Sequence, residues 1–213
     1  MPADGDTPRR RRSLDKGRME AFSDGVFAFA ATLLVVDLAL HPPGTPLQQV
    51  LHAWPGYVAY IISFLTIGAA WLAHTALTDR LTRADSLFLR LNLLLLLVVV
   101  FLPFPTRLLA ESLHETSSQR VFVTLYGLTL LAIRLLGAAL DGYARREHLY
   151  PPHGDGGELR SDQRKLLPVV FGYVIAILIG LALPELAVAL YFGLAVYLIV
   201  PFREAARLLS RRS

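Results

Sequence analysis

Apolar residues fall into six long runs along the chain, separated by short polar stretches. They extend approximately from Phe22 to Leu40, Trp54 to Leu77, Leu87 to Leu109, Val121 to Leu140, Leu166 to Leu183 and Leu186 to Phe202. Each is close to the roughly 20 residues that carry a helix across a hydrocarbon core. The pattern therefore predicts an all-α integral membrane protein with six transmembrane helices. His41-Pro42-Pro43-Gly44 closes the first run, because consecutive prolines cannot continue a helix and glycine frees the turn. Pro184-Glu185 divides an apolar stretch of 37 residues, too long for one span and suited to a tight helical hairpin. At the far end of the third run, Pro103 and Pro105 predict a non-helical exit.

Composition agrees. The chain has 213 residues, 54% hydrophobic and 18% charged, and its mean hydropathy is +0.48. Six spans and their loops fill that length and leave no room for a separate enzymatic domain. Phosphate loops, dinucleotide fingerprints and His-Glu-x-x-His are missing, so no enzyme and no cofactor is expected. With no cysteine there is no disulfide, thiolate metal site or cysteine nucleophile.

The net charge of +4 acquires meaning from its distribution. Of the 21 Lys and Arg, 18 lie before span 1, around the link from span 2 into the start of span 3, between spans 4 and 5, or after span 6. All of these are on one side of the predicted topology. By the positive-inside rule both termini are cytoplasmic, which an even span count also requires. Trp54, Tyr57 and Tyr60 suit the opposite interface, where aromatic rings sit at headgroup level. The run Arg9 to Arg12 reads as a juxtamembrane, lipid-facing segment, with no nucleic-acid partner. The first run is too long and too polar for a cleaved signal, since it holds Asp24 and Asp37. The chain thus divides into a basic cytoplasmic tail (1–17), a six-helix transmembrane domain (18–204) and a cytoplasmic C-terminal tail (205–213).

Candidate chemistry gathers at the cytoplasmic end. Span 1 opens Arg18-Met19-Glu20-Ala21-Phe22-Ser23-Asp24, placing a serine and a carboxylate where an unpaired polar group is costly. Ser23 or Asp24 could serve only as an N-cap. Trp71 and His74 end span 2 at the same depth, however, and Asn92 opens span 3. Polar groups at one level in lipid need partners, which favours a network: His74 donating to Asp24, Trp71 reaching Ser23, and Asn92 bonding across helices. Arg134, inside span 4, must face protein or water, with Asp141 two turns along the same face.

Here the sequence resembles a known family. "RMEAFSD" fits the Arg-x-x-x-Phe-Ser-Asp signature that opens the first helix of the transmembrane protein 175 family, the endolysosomal-type potassium channels and their prokaryotic relatives. "FSDGVFAFAATLLVVDL", "WLAH" and "LNLLLLLVVVFLPFPT" continue the likeness through three spans. The resemblance implies a prokaryotic single-repeat member, a homotetramer in the cell membrane that conducts potassium along an axis lined by helix 1. It implies a signature network of Arg18, Phe22, Ser23, Asp24, Trp71 and His74. It also places the narrowest ring, five residues after the signature aspartate, at Phe29, with Thr32 contributing nearby. Phenylalanine departs from the isoleucine or leucine usual at that ring.

Spacing within helix 1 is compatible with a pore. Phe29, Thr32 or Leu33, Val36 and Leu40 lie on one helical face. That face carries no carboxylate ring, and the chain has no Thr-Val-Gly-Tyr-Gly filter. The expectation is a potassium-permeable leak channel gated by a hydrophobic constriction, with no resident metal, potassium passing only transiently. Asp37 would either gather cations at the outer mouth or pair with Arg107. The alternative is a proton-coupled transporter or proton pathway using Asp24 and His74, and a third possibility is a membrane protein that transports nothing.

Overall fold

The structure is a computed structural model, and it describes residues 16–36, 45–112, 119–151 and 156–199. These residues form eight helices: α1 (Lys16–Val36), α2 (Pro46–His52), α3 (Trp54–Asp79), α4 (Ser86–Phe101), α5 (Pro103–Ser112), α6 (Gln119–Arg146), α7 (Gly156–Gly180) and α8 (Pro184–Ile199). No strand occurs among the described residues. Length and composition allow four stretches to cross a membrane, namely α1, α3, α4 with α5, and α6. The apolar parts of the last two helices, Leu166–Gly180 and Pro184–Ile199, are shorter.

The helices begin and end for local reasons, and several of these correct the sequence expectation. Within the described residues the helix of the first run is already formed at Lys16, six residues before the apolar segment, where Lys16 and Glu20 pair one turn apart at 3.4 Å. Between the first two runs lies α2, which hydropathy alone does not disclose. Thr45 caps it by accepting from the Gln48 N–H, Gln48 Oε1 accepts from the Thr45 N–H at 3.0 Å, and Pro46 occupies the first turn. The prolines after Leu102 do not impose a non-helical exit. Pro103 has no N–H for the Val99 carbonyl, so the Leu102 N–H takes it at 3.2 Å and the chain tightens for one turn. It then resumes as α5, since a proline in a first helical turn removes only a donor that would lack a partner anyway. Gly156 and Gly157 lie within α7.

α3 stands at the centre, packed against α1, α5, α6 and α8; α6 also meets α4, α5 and α7, and α7 returns on α8 as a hairpin. Where α6 and α8 cross, a Cβ on Gly127 would collide with the Tyr191 ring and hydroxyl, so only glycine permits that approach. The end of the bundle near Lys16 is stitched by polar bonds. Lys16 Nζ donates to the Asp79 carbonyl at 3.3 Å, and the Thr82 N–H and Oγ1 both donate to the Leu149 carbonyl, at 2.9 and 2.8 Å. Asp85 caps α4 through the Phe88 N–H at 2.8 Å and accepts the Tyr143 hydroxyl at 2.7 Å. α6 ends in a Schellman turn: His148 has a φ of 51°, the Leu149 N–H bonds the Ala144 carbonyl at 2.9 Å, and both Leu149 and Ala144 are buried.

A second polar layer lies deeper. Thr106 Oγ1 donates to the Leu102 carbonyl at 2.8 Å, so its only proton is spent. Ser63 Oγ, 2.8 Å away, must then donate to Thr106, and the Tyr126 hydroxyl, 2.7 Å from Ser63, must donate to Ser63. One directed chain of hydroxyls thus joins α6 to α3 to α5. Asp141, proposed as an Arg134 partner, receives Arg145 and the Tyr150 hydroxyl, each at 2.8 Å, while Arg134 lies within electrostatic reach of Tyr173 on α7.

Candidate functional site

The two sides of α1 have different surroundings. Met19, Ser23, Phe27, Ala30 and Leu34, spaced by three and four residues, are buried against α3 and α4. The other side is bare. Phe22 is 56% exposed, Phe29 57% and Val36 70%, and they recur every seven residues, so they drift only about 20° per repeat around the helix. Thr32 is exposed beside them, and Leu33 is half-buried. Leu40 and Asp37 lie outside the described residues; Arg107 pairs with Glu111 at 2.9 Å. Thr32 Oγ1 donates to the Phe29 carbonyl at 2.8 Å, so its proton is committed to the helix and its oxygen lone pairs remain available outward.

Five of the proposed network residues meet at the Lys16 end of the bundle, with partners different from those expected. Trp71 Nε1 donates to Asp24 Oδ1 at 2.9 Å, and Asn92 Nδ2 donates to Ser23 Oγ at 2.9 Å. His74 Nε2 lies 2.8 Å from Asn92 Oδ1. The exchange follows from helix geometry. Ser23 and Asp24 are consecutive and so point about 100° apart; Ser23 faces the buried seam while Asp24 faces the rim. On α3, Trp71 is at the rim, 40% exposed, and His74 is buried in the seam. Asn92, 2% exposed, is the link between them. Because its amide nitrogen serves Ser23, its oxygen must accept, which assigns the proton of His74 to Nε2. His74 Nδ1 is then a buried lone pair with no hydrogen-bond partner among the described residues. Phe27, which the sequence reading passed over, packs its ring on the imidazole at 5.4 Å. Arg18 is exposed and joins no ion pair among the described residues, and Phe22 is on the bare side, so neither belongs to the bonded cluster.

A sequence model described as endosomal/lysosomal potassium channel TMEM175 matches residues 18–103, the stretch from α1 through the α4 break. A Streptomyces collinus protein named as a potassium channel is 37% identical over 201 residues, covering 90% of this chain and 98% of that one. The chain belongs to the TMEM175 family. A crystal structure of a lysosomal potassium-selective channel TMEM175 homolog from Chamaesiphon minutus superposes with a TM-score of 0.74 at 33% identity, over 86% of this chain and 95% of that one. A chicken protein named as the endosomal/lysosomal proton channel TMEM175 is 36% identical over 117 residues, half of this chain but 23% of that protein. TMEM175 proteins of this kind are channels, not enzymes, and this member is a multi-pass membrane protein. The matched segment holds every residue of the Ser23–Asn92–His74 and Asp24–Trp71 bonds.

Proposed function

We propose that this protein is a potassium-permeable leak channel of the bacterial cell membrane, with six spans, both termini cytoplasmic, and four copies joining their first helices around one axis. The observation that carries the proposal is the bare face of α1. A helix with Ser23, Phe27, Ala30 and Leu34 buried leaves Phe22, Phe29, Thr32 and Val36 exposed on its other side among the described residues. In lipid such a face needs no explanation, but here it lies on the helix that carries the family signature, and the named potassium channel and potassium-selective channel relatives support the same reading. In a tetramer Phe29 forms the narrowest ring. Its apolar edge holds back water, and its ring face attracts a cation by about 0.5–2 kcal/mol as desolvation increases. Thr32 offers outward lone pairs one turn further along, as a dehydrating cation requires. The network at Ser23 and Asp24 sets the rotation of α1 and hence which residues meet the axis.

The test is flux. In liposomes the wild type should pass potassium above the empty-vesicle rate, and Phe29→Ala should raise the flux and weaken discrimination against sodium. No flux in either protein, from preparations whose native mass is that of four chains, would sink the proposal.

A proton pathway through Asp24 and His74 is the second reading, favoured by the buried, unbonded His74 Nδ1 and by the vertebrate relatives named as proton channels. Asp24 and His74 hold different partners, Trp71 and Asn92, so a proton passing between them needs an intervening water. Proton current that saturates, and that disappears in His74→Ala while potassium flux persists, would establish it.

A further inference from the structure

At the end of the bundle opposite Lys16, α3 and α8 begin side by side and leave a groove of about 290 Å³ between them. Its lining is Trp54 and Val58 from α3, and Glu185, Val188, Ala189 and Phe192 from α8. The volume is that of about ten water molecules at 30 Å³ each, and the walls are mostly apolar, so an apolar chain fits them better than water does. Polarity is concentrated at the rim. Glu185 stands in the first turn of α8 and Trp54 in the first turn of α3, 56% exposed; an indole at a helix end suits a position at headgroup level.

The geometry points to a binding site for a phospholipid with a primary-ammonium headgroup, of the phosphatidylethanolamine type. One acyl chain lies along Val58, Val188, Ala189 and Phe192, and the ammonium sits between the Glu185 carboxylate and the Trp54 ring. Three features converge on that chemistry. A carboxylate at the mouth of an apolar groove repels phosphatidylglycerol and attracts an ammonium. An indole face adds a cation–π contact. A primary ammonium, unlike choline, donates hydrogen bonds to the carboxylate. The site involves neither the bare face of α1 nor the Ser23 network, so it is independent of the channel proposal.

Native mass spectrometry of the full-length protein, incubated with equal amounts of phosphatidylethanolamine, phosphatidylglycerol and phosphatidylcholine, tests this. Phosphatidylethanolamine should be retained about five-fold over either competitor, the ratio that about 1 kcal/mol of pairing produces. Glu185→Gln should abolish that preference. Ala189→Phe, which fills the groove, should reduce retention of phosphatidylethanolamine to the level of the competitors without lowering the melting temperature. Equal retention of the three lipids by the wild type, or an unchanged preference in Glu185→Gln, overturns the assignment. So does cysteine cross-linking at position 189 between chains, which would make the groove a contact with a second copy.

Discussion

Removing the Asn92 side chain measures the strength of the seam that orients α1. Asn92→Leu keeps the volume but deletes both bonds, the 2.9 Å donation to Ser23 and the 2.8 Å acceptance from His74. It leaves the His74 N–H with no acceptor in a site only 4% exposed. Such bonds in water-soluble proteins contribute about 1 kcal/mol net, and a stranded buried donor costs about 1–3 kcal/mol. Between helices in lipid the average is nearer 0.6 kcal/mol, with a maximum of about 1.7. Asn92→Leu should therefore destabilise by about 1–3 kcal/mol, and Ser23→Ala by about 1 kcal/mol. Both single changes break the same bond, so the double variant should fall short of their sum by about 0.6–1.7 kcal/mol. Reversible unfolding in mixed micelles supplies the four free energies. Trp71→Phe with Asn92→Leu is the control cycle, because Trp71 serves Asp24 and not Asn92. Additivity within about 0.3 kcal/mol for Ser23 and Asn92 would show that their bond contributes nothing, and the reasoning about α1 orientation would fail with it.

Other expectations follow from the same geometry. Asp85 is partly buried, which pushes its carboxyl up, but the Phe88 N–H bond and then the Tyr143 hydroxyl outweigh this and hold it below its ordinary range. A depressed carboxyl stabilises the fold above its unfolded pKa and loses that contribution as pH falls through the folded value. Wild type should thus lose stability below about pH 4, and Asp85→Asn should show a flatter acid limb; parallel limbs would refute the role. His148 occupies a left-handed position that glycine adopts without strain, so His148→Gly should stabilise by about 0.5–1 kcal/mol, read as a rise in melting temperature. In the hydroxyl chain, Ser63→Ala strands the Tyr126 donor, whereas Tyr126→Phe removes only a donor that Ser63 does not need for its own bond to Thr106. Ser63→Ala should be the more damaging change by about 1 kcal/mol, and the reverse order would reverse the assigned proton direction.

The helices are legible because each apolar run is long enough to register as a helix, and four stretches reach the length of a crossing; the Ser23–Asp24 anomaly is legible because charge in lipid demands a partner. The exact partners are not. Hydropathy gives depth but no rotation, and the exchange between Trp71 and His74 is a matter of 100° steps around two helices. α2 escapes hydropathy because its signal, Thr45-Pro46-Leu47-Gln48, is a capping pattern in a segment too short to register as a span. Pro103 and Pro105 look like a stop because sequence does not distinguish a helix that ends from one that restarts. Ser63, Thr106 and Tyr126 gave no warning at all, since single hydroxyls within long apolar runs show no period until three helices bring them together.

Fixing α1 at Ser23 and Asp24 also makes it a lever with its fulcrum near one end. At 1.5 Å per residue, Phe29 lies about 9 Å from that fulcrum and Val36 about 20 Å. A tilt of about 10° about the pinned turn would carry Val36 sideways by about 3.4 Å and Phe29 by only about 1.6 Å. Any swing of this helix is therefore spent mostly at its Val36 end, and in the proposed pore the Phe29 position, nearer the pivot, would move about half as far.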